Sequence, residues 1–273
     1  MGIFYVLRFL RSRLSATIIL RGQKLDRSRG EAYNRFNQIN NINKINAMKN
    51  PKRALLSYLA ATAREGKSIP SIAELGKDLG LSNSAVREQL EVARQLQLVE
   101  IKTKTGIQVS NFSITPAICL ASKYGIEVNP ELIWDLLSVR QHLELCYWQE
   151  AVVSLSKEDV NHLGKIVESA LVKINRRPIV VPVDEHRNFH LSIYRPLKNA
   201  FLIGILEAYW ELFHESEIRF YSDQESLEAV WDYHKKIYQA IASKQYQVGY
   251  QALITHFDIV RTNSKAELIQ RFE

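Results

Sequence analysis

Cysteine is almost missing from this chain: Cys119 and Cys146 are the only two among 273 residues. Two distant thiols without a CxxC make neither a disulfide framework nor a cysteine-rich metal knuckle, which suits a reducing compartment. Both are expected to be buried and to act as small apolar side chains. No uninterrupted apolar run approaches the ~20 residues of a membrane span. The most apolar stretch, residues 1–20, is broken by Arg8, Arg11 and Arg13. The eleven glycines form no phosphate-binding loop, no segment repeats another, and beyond residue 130 the alternating pattern of strands is lacking. A disulfide scaffold, a membrane-spanning protein and a P-loop nucleotide enzyme are thereby set aside. What is left is a length that accommodates two domains with a sizeable core.

The net charge of +7 suggests a nucleic-acid partner, and its distribution refines the suggestion. Residues 1–47 carry nine basic and two acidic side chains, which accounts for the whole excess. Residues 48–112 carry ten against six, and residues 113–273 carry 17 against 21. A mildly basic segment joined to an acidic one is the arrangement of a phosphate-seeking module tethered to one that is not.

Residues 1–47 end in an Asn-rich run without core periodicity, so they are expected to be a basic, disordered N-terminal extension. Four readings stay open for it: translation that starts at Met48, a basic arm that touches DNA, an amphipathic surface helix, or a poor signal sequence that no small-residue cleavage site follows cleanly. Pro51 opens a helix to about Arg64 in which Leu55, Leu56 and Leu59 are apolar. Ser71 with Glu74 has the spacing of a capping box, Ile72, Leu75 and Leu79 mark a buried face, and Gly80 ends that short helix. Ser82 is a good N-cap for a second helix with Val86, Leu90, Ala93 and Leu96 at helical spacing. Two helices joined by so tight a turn form a helix-turn-helix. Asn83, Ser84 and Arg87 stand on the first turn of its second helix, where small and cationic groups reach base edges and phosphates. Leu98, Val99 and Ile101 then alternate into Lys102, Lys104, Thr105 and Gly106, a hairpin with a basic tip.

Residues 113–128 are expected to be a linker, residues 129–263 a bundle of six or seven helices, and residues 264–273 a C-terminal tail. Breaks fall at 154–156, 176–182, 196–199, 222–224 and 243–245. The informative residues of the bundle are histidines. His186 and His190 are four apart, so they stand one turn apart on one helix face. His234 and His256 lie on the two last helices. Neutral imidazole is a common ligand of zinc and nickel, and such a set can cage a divalent transition metal. The other reading of each is a surface or hydrogen-bonded histidine, the one given to His142, His162 and His214. The aromatic residues around Phe213 to Trp231 are assigned to the core.

The stretch Ile69-Pro70-Ser71, Glu74-Leu75, Val86-Arg87-Glu88 and Gly106 resembles the winged-helix domain of the GntR family of bacterial transcription regulators. The resemblance implies that Ser82, Asn83, Ser84, Arg87, Thr105 and Gly106 contact DNA; Ser71, Lys102 and Lys104 complete the candidate surface. Ala73 and Asn83 stand where arginine is usual, so operator preference or affinity is expected to differ. Residues 129–261 resemble the FCD ligand-binding domain of the FadR-like branch, on Arg140 with Glu144, His186, Phe189-His190, Asn199, His234 and His256. That resemblance implies a metal bound by His186, His190, His234 and His256 and a small carboxylate effector held near Arg140 and Asn199. In the family the first ligand is Asp, whereas here it is His186, and Asp184, two residues away, points about 200° round the helix. An all-imidazole set favours zinc, nickel, copper or cobalt over manganese and magnesium.

The fold class is therefore expected to be mainly α: a winged helix-turn-helix over residues 48–112 followed by an all-α effector and metal domain. The expected function is that of a homodimeric, cytoplasmic, nucleoid-associated regulator. Its partners would be a double-stranded DNA operator and a small anionic effector, with no membrane partner and no catalysis. Two rival readings stand beside it. A helical metal-dependent hydrolase lacks a spare carboxylate beside the histidines and a His-Asp dipeptide. A winged helix used only to bind other proteins draws support from Ala73 and Asn83.

Overall fold

The computed structural model describes residues 51–102, 106–215 and 224–272. The expectations for residues 1–47, Lys104 and Thr105 lie outside the described residues. The chain divides into two compact units. Of the described residues, the first takes 51–91 and 106–107, and the second takes 92–102 and the chain from 108 onward. The division falls inside a helix rather than at residue 112.

The first unit is built by α1 (Pro51–Glu65), α2 (Ile72–Leu79) and the start of α3 (Asn83–Gln95), with Leu55, Leu59, Leu75, Val86 and Leu90 buried. The expected local signals operate. Ser71 and Glu74 form the reciprocal capping box of α2, and Gly80 closes the helix at φ 66°, in the left-handed region where a side chain is strained. Leu81 N–H donates to the Gly76 carbonyl at 2.9 Å, and a Cβ built on Gly76 would stand 2.8 Å from the Leu81 carbonyl oxygen. The tight turn thus requires glycine at 76 for room and at 80 for conformation. The hairpin pairs β1 (Val99–Lys102) with β2 (Gly106–Val109) in a two-stranded sheet.

The second unit is helical beyond the hairpin. Its elements are α4 (Thr115–Val128), α5 (Leu132–Ser154), α6 (Lys157–Ile174), α7 (Val183–Tyr194), a 3-10 turn (Arg195–Leu197), α8 (Ala200–Glu215), α9 (Gln224–Ala242) and α10 (Tyr246–Phe272). Ser156 and Asp159 cap α6 as a second capping box. Helix α5 packs on α7, α8 and α10, α9 lies against α6 and α10, and α7 also meets α6 and α8. Between them sits one large core that includes Trp148, Phe189, Tyr194, Tyr209, Trp231 and Phe257. The aromatic residues Phe213 and Trp231 belong to it, as expected.

Three expectations are corrected. Most of the expected linker, residues 113–128, is the helix α4, docked on α8 through a small core of Cys119, Ala208 and Leu212. Pro116 does not break it, because it occupies the first turn of α4, where no intrahelical N–H is lost. The expected tail continues α10 to Phe272. Cys119 is buried, but Cys146 is exposed, because it lies on the solvent side of α5 while Glu144 and Trp148 face inward.

Candidate metal centre and DNA-contacting surface

On the recognition side, the Ser82 hydroxyl accepts the Ala85 N–H at 3.1 Å, so it caps α3 as expected. Asn83, Ser84 and Arg87 are exposed on the first turn of that helix. Ser71 is exposed, but its side chain is engaged in the capping box with Glu74. Lys102 is exposed and pairs with Glu100 at 2.6 Å, and Gly106 takes a φ of 72° where β2 begins.

In the second unit, His186 and His190 come from α7, His234 from α9 and His256 from α10. Each is at most 1% exposed. One ligand atom from each lies within 4.8 Å of all the others. The i, i+4 spacing on α7 supplies two of the four, and the packing of α9 against α10 supplies the rest. His186 stands among the other three, its ring centroid 4.7 Å from that of His234 and 5.2 Å from that of His190. Trp231 stacks on His234 at 4.5 Å.

Hydrogen bonds fix two of the tautomers. His190 Nδ1 is 2.7 Å from Glu144 Oε2, and His234 Nδ1 is 2.9 Å from the Val230 carbonyl oxygen. Both oxygens are acceptors, so both Nδ1 atoms carry the proton. Burial drives all four imidazoles below their ordinary value of 6.5, reinforced for His186, His234 and His256 by the neighbouring imidazoles and Arg140. The rings are therefore neutral, and Nε2 of His190 and of His234 are bare lone pairs. They face each other at 3.3 Å, and His256 Nε2 approaches His190 Nε2 at 3.2 Å. Two acceptors cannot hydrogen-bond to one another, whereas a cation satisfies both. The residues thus fit a metal, with nitrogen donors oriented from behind by a carboxylate and a carbonyl as metal-binding histidines usually are.

Behind His190 lies a fully buried charged pair on α5. Arg140 Nε donates to Glu144 Oε1 at 2.7 Å. Burial alone would raise the Glu144 carboxyl, but His190 and Arg140 outweigh it and hold the group below its ordinary range. The Tyr194 hydroxyl donates to the Glu144 backbone carbonyl at 2.8 Å. The Arg140 guanidinium carbon lies 4.3 Å from the ring centre of Trp210 and 4.6 Å from that of Tyr209, and 5.2 Å from that of Phe257. Its Nη1 and Nη2 are buried and make no hydrogen bond among the described residues.

Arg140 therefore joins the histidines. Asn199 is not drawn in: its Oδ1 accepts the Phe201 and Leu202 N–H groups at 3.2 and 3.1 Å and caps α8. Glu144, part of the sequence motif without a role of its own, proves central, and its i+4 spacing from Arg140 is the signal that the arginine has a partner. His142 and Ser138 pair locally on α5, and His162 and His214 are exposed.

Comparison with known proteins points the same way. The model of the FCD domain matches residues 135–258, which contain the four histidines, Arg140 and Glu144. The chain is 25% identical over 202 residues to the Uxu operon regulator of Haemophilus influenzae, covering 72% of this chain and 73% of that protein. It is 23% identical over 200 residues to the HTH-type transcriptional regulator LutR of Bacillus subtilis, covering 71% and 89%. The Glc operon transcriptional activator of Escherichia coli is 25% identical over 210 residues, covering 72% and 80%. Among solved structures, Streptococcus agalactiae GntR shares the fold at a TM-score of 0.55 and 19% identity, over 79% of this chain and 99% of that one. The helix-turn-helix with its hairpin and the helical histidine-bearing unit thus make a chain similar to the GntR-type transcription regulators, with residues 135–258 similar to the FCD domain.

Proposed function

We propose that the protein binds an operator in double-stranded DNA as a homodimer, and that a divalent metal and a small carboxylate held in the helical unit set its affinity for that operator. The observation that carries the effector half of this reading is the convergence of neutral Nε2 lone pairs in a fully buried cluster beside an arginine with two unused donors. His186, His190, His234 and His256 would hold the metal, and zinc or nickel suits four nitrogen donors best. When bound, the metal supplies a positive charge that a carboxylate oxygen can coordinate. Glu144 orients His190 and balances Arg140, the four imidazoles are neutral, and nothing in the cluster offsets the added charge. An anion is therefore the favoured effector, with Arg140 Nη1 and Nη2 to receive its second oxygen.

The DNA half rests on the exposed first turn of α3, where Asn83, Ser84 and Arg87 are grouped, with Ser71, Ser82, Lys102, Lys104, Thr105 and Gly106 as the remaining surface. Reading two half-sites requires two copies. No helix among the described residues is long and apolar enough to cross a membrane, and a cytoplasmic, nucleoid-associated location follows from the proposed partner. Fluorescence anisotropy with DNA from upstream of the protein's own coding sequence tests the reading, with salt titration and with zinc or a chelator added. Sequence-specific binding with a steep salt slope that shifts with zinc supports it. Binding to no DNA above competitor level refutes it and leaves a protein-interaction module.

A further inference from the structure

We infer that the effector is a small dicarboxylate and that Trp231 selects it, an inference that rests on the effector reading above and names the ligand class of that same site. Trp231 is fully buried on α9, one turn before His234 and stacked on its ring at 4.5 Å, with the His186 ring centre 6.2 Å away. Its Nε1 has no hydrogen-bond partner among the described residues. The same core shows how an indole is treated when it only packs: Trp148, also buried, donates its Nε1–H to the Tyr246 carbonyl at 3.0 Å. A buried donor without an acceptor loses its hydration and gains nothing in return, so such groups are few and call for a partner. An indole N–H only donates, so a metal ion cannot satisfy it and an acceptor oxygen can.

Arg140 supplies the other unused donors, at a different place. Its guanidinium packs on Tyr209, Trp210 and Phe257, and among the described residues it makes no such contact with Trp231. Trp210 touches both the arginine and the histidines, its ring centre 4.8 Å from that of His186. The imidazole cluster is thus met by Arg140 Nη1 and Nη2 from α5 and by Trp231 Nε1 from α9. One carboxylate placed against the metal and Arg140 leaves Trp231 unused, and an acceptor further along the ligand completes it.

Charge decides what that second acceptor is. Glu144 is the only buried carboxylate among the described residues, and Arg140 cancels it. A histidine that ligates a metal is neutral, so a divalent ion at the four imidazoles brings two positive charges that no buried side chain matches. A monocarboxylate neutralises one of them and a dicarboxylate both, and buried charge is costly unless it is matched. A second carboxylate near the ion that accepts the Trp231 N–H satisfies the charge and the indole together.

Isothermal titration of the zinc-loaded full chain, dialysed free of unbound zinc, with malonate, succinate, glutarate and butyrate tests the inference. At least one of the dicarboxylates is expected to bind about tenfold or more tighter than butyrate, and the preference is expected to vanish in metal-free protein. Trp231→Phe keeps a ring on His234 and removes the donor. It is expected to weaken that dicarboxylate about tenfold while butyrate stays within about threefold of wild type. The ratio of the two affinities in one sample is the readout, because partial unfolding of the variant lowers both alike. Butyrate binding as tightly as all three dicarboxylates overturns the dicarboxylate class, and so does a preference that survives removal of zinc, since its cause would lie elsewhere. A ratio unchanged in Trp231→Phe overturns the role of Trp231 and shows that water satisfies the indole. Zinc-loaded protein that binds none of the four overturns the effector reading itself.

Discussion

Glu144 Oε2 stands 2.7 Å from His190 Nδ1 while its other oxygen takes the Arg140 Nε–H, also at 2.7 Å. One carboxylate thereby sets the tautomer of a histidine in the four-imidazole cluster and balances the arginine beside it. Glu144→Gln keeps the shape but loses the charge and turns an amide group toward one of two donors. Zinc affinity measured by isothermal titration is expected to fall about 10- to 100-fold. An unchanged affinity would show that His190 is oriented by packing alone.

Arg140 is the only counter-charge that Glu144 has on α5, and both side chains are inaccessible. Arg140→Met strands a buried carboxylate and is expected to destabilise the protein by about 3–5 kcal/mol, read from urea unfolding. Arg140→Lys keeps the charge and removes the unused Nη donors. It is expected to preserve more of the stability and to abolish the rise in melting temperature that acetate or succinate gives the zinc-loaded wild type. Equal rises in the wild type and the Lys variant would remove Arg140 from the effector site.

Stability should also depend on pH. His186, His234 and His256 are held well below 6.5 in the fold by burial and by one another. The unfolded chain therefore binds protons that the folded, metal-free protein refuses, and stability rises with pH where this holds. It is full above the unfolded value near 6.5 and is lost progressively as the pH falls below it. The urea midpoint of the metal-free protein is expected to be lower at pH 5.5 than at pH 7.5. A midpoint equal or higher at pH 5.5 would mean the imidazoles are protonated in the fold.

The turn of the reader offers a separate test. A Cβ at Gly76 meets the backbone oxygen of Leu81 at 2.8 Å, and backbone cannot swing aside as a side chain can. Gly76→Ala is expected to cost about 1–3 kcal/mol and to impair DNA binding while the zinc titration stays as in wild type. Undiminished DNA binding would show that the turn relaxes freely.

These features differ in how far the sequence discloses them. The capping boxes at Ser71 and Ser156 and the end of α2 at Gly80 depend on neighbours within four residues, so local spacing reveals the first and the last. His186 and His190 are legible as a pair for the same reason, and their meeting with His234 and His256 rests on family resemblance. Glu144 is easily undervalued because an Arg-x-x-x-Glu spacing on a helix is also the mark of a solvated surface pair, and only the packing of α5 against α7, α8 and α10 decides between the two. Cys146 and α4 escape sequence reading for a related reason. Cys146 is two residues from inward-facing Glu144 and Trp148, which turns it outward. Helix α4 has apolar residues all round, so it shows no amphipathic period. Asn199 carries both a family role and an N-cap signal, and its contacts realise the local one.

Isothermal titration of the metal-free protein with zinc, and with nickel in parallel, probes the proposed metal centre without intermediary. One ion per chain is expected at the four-histidine cluster, with the heat lost when His190 and His234 are both replaced by alanine in protein whose circular dichroism is unchanged. No heat with either metal, or an undiminished titration in the double variant, would refute a metal at these histidines.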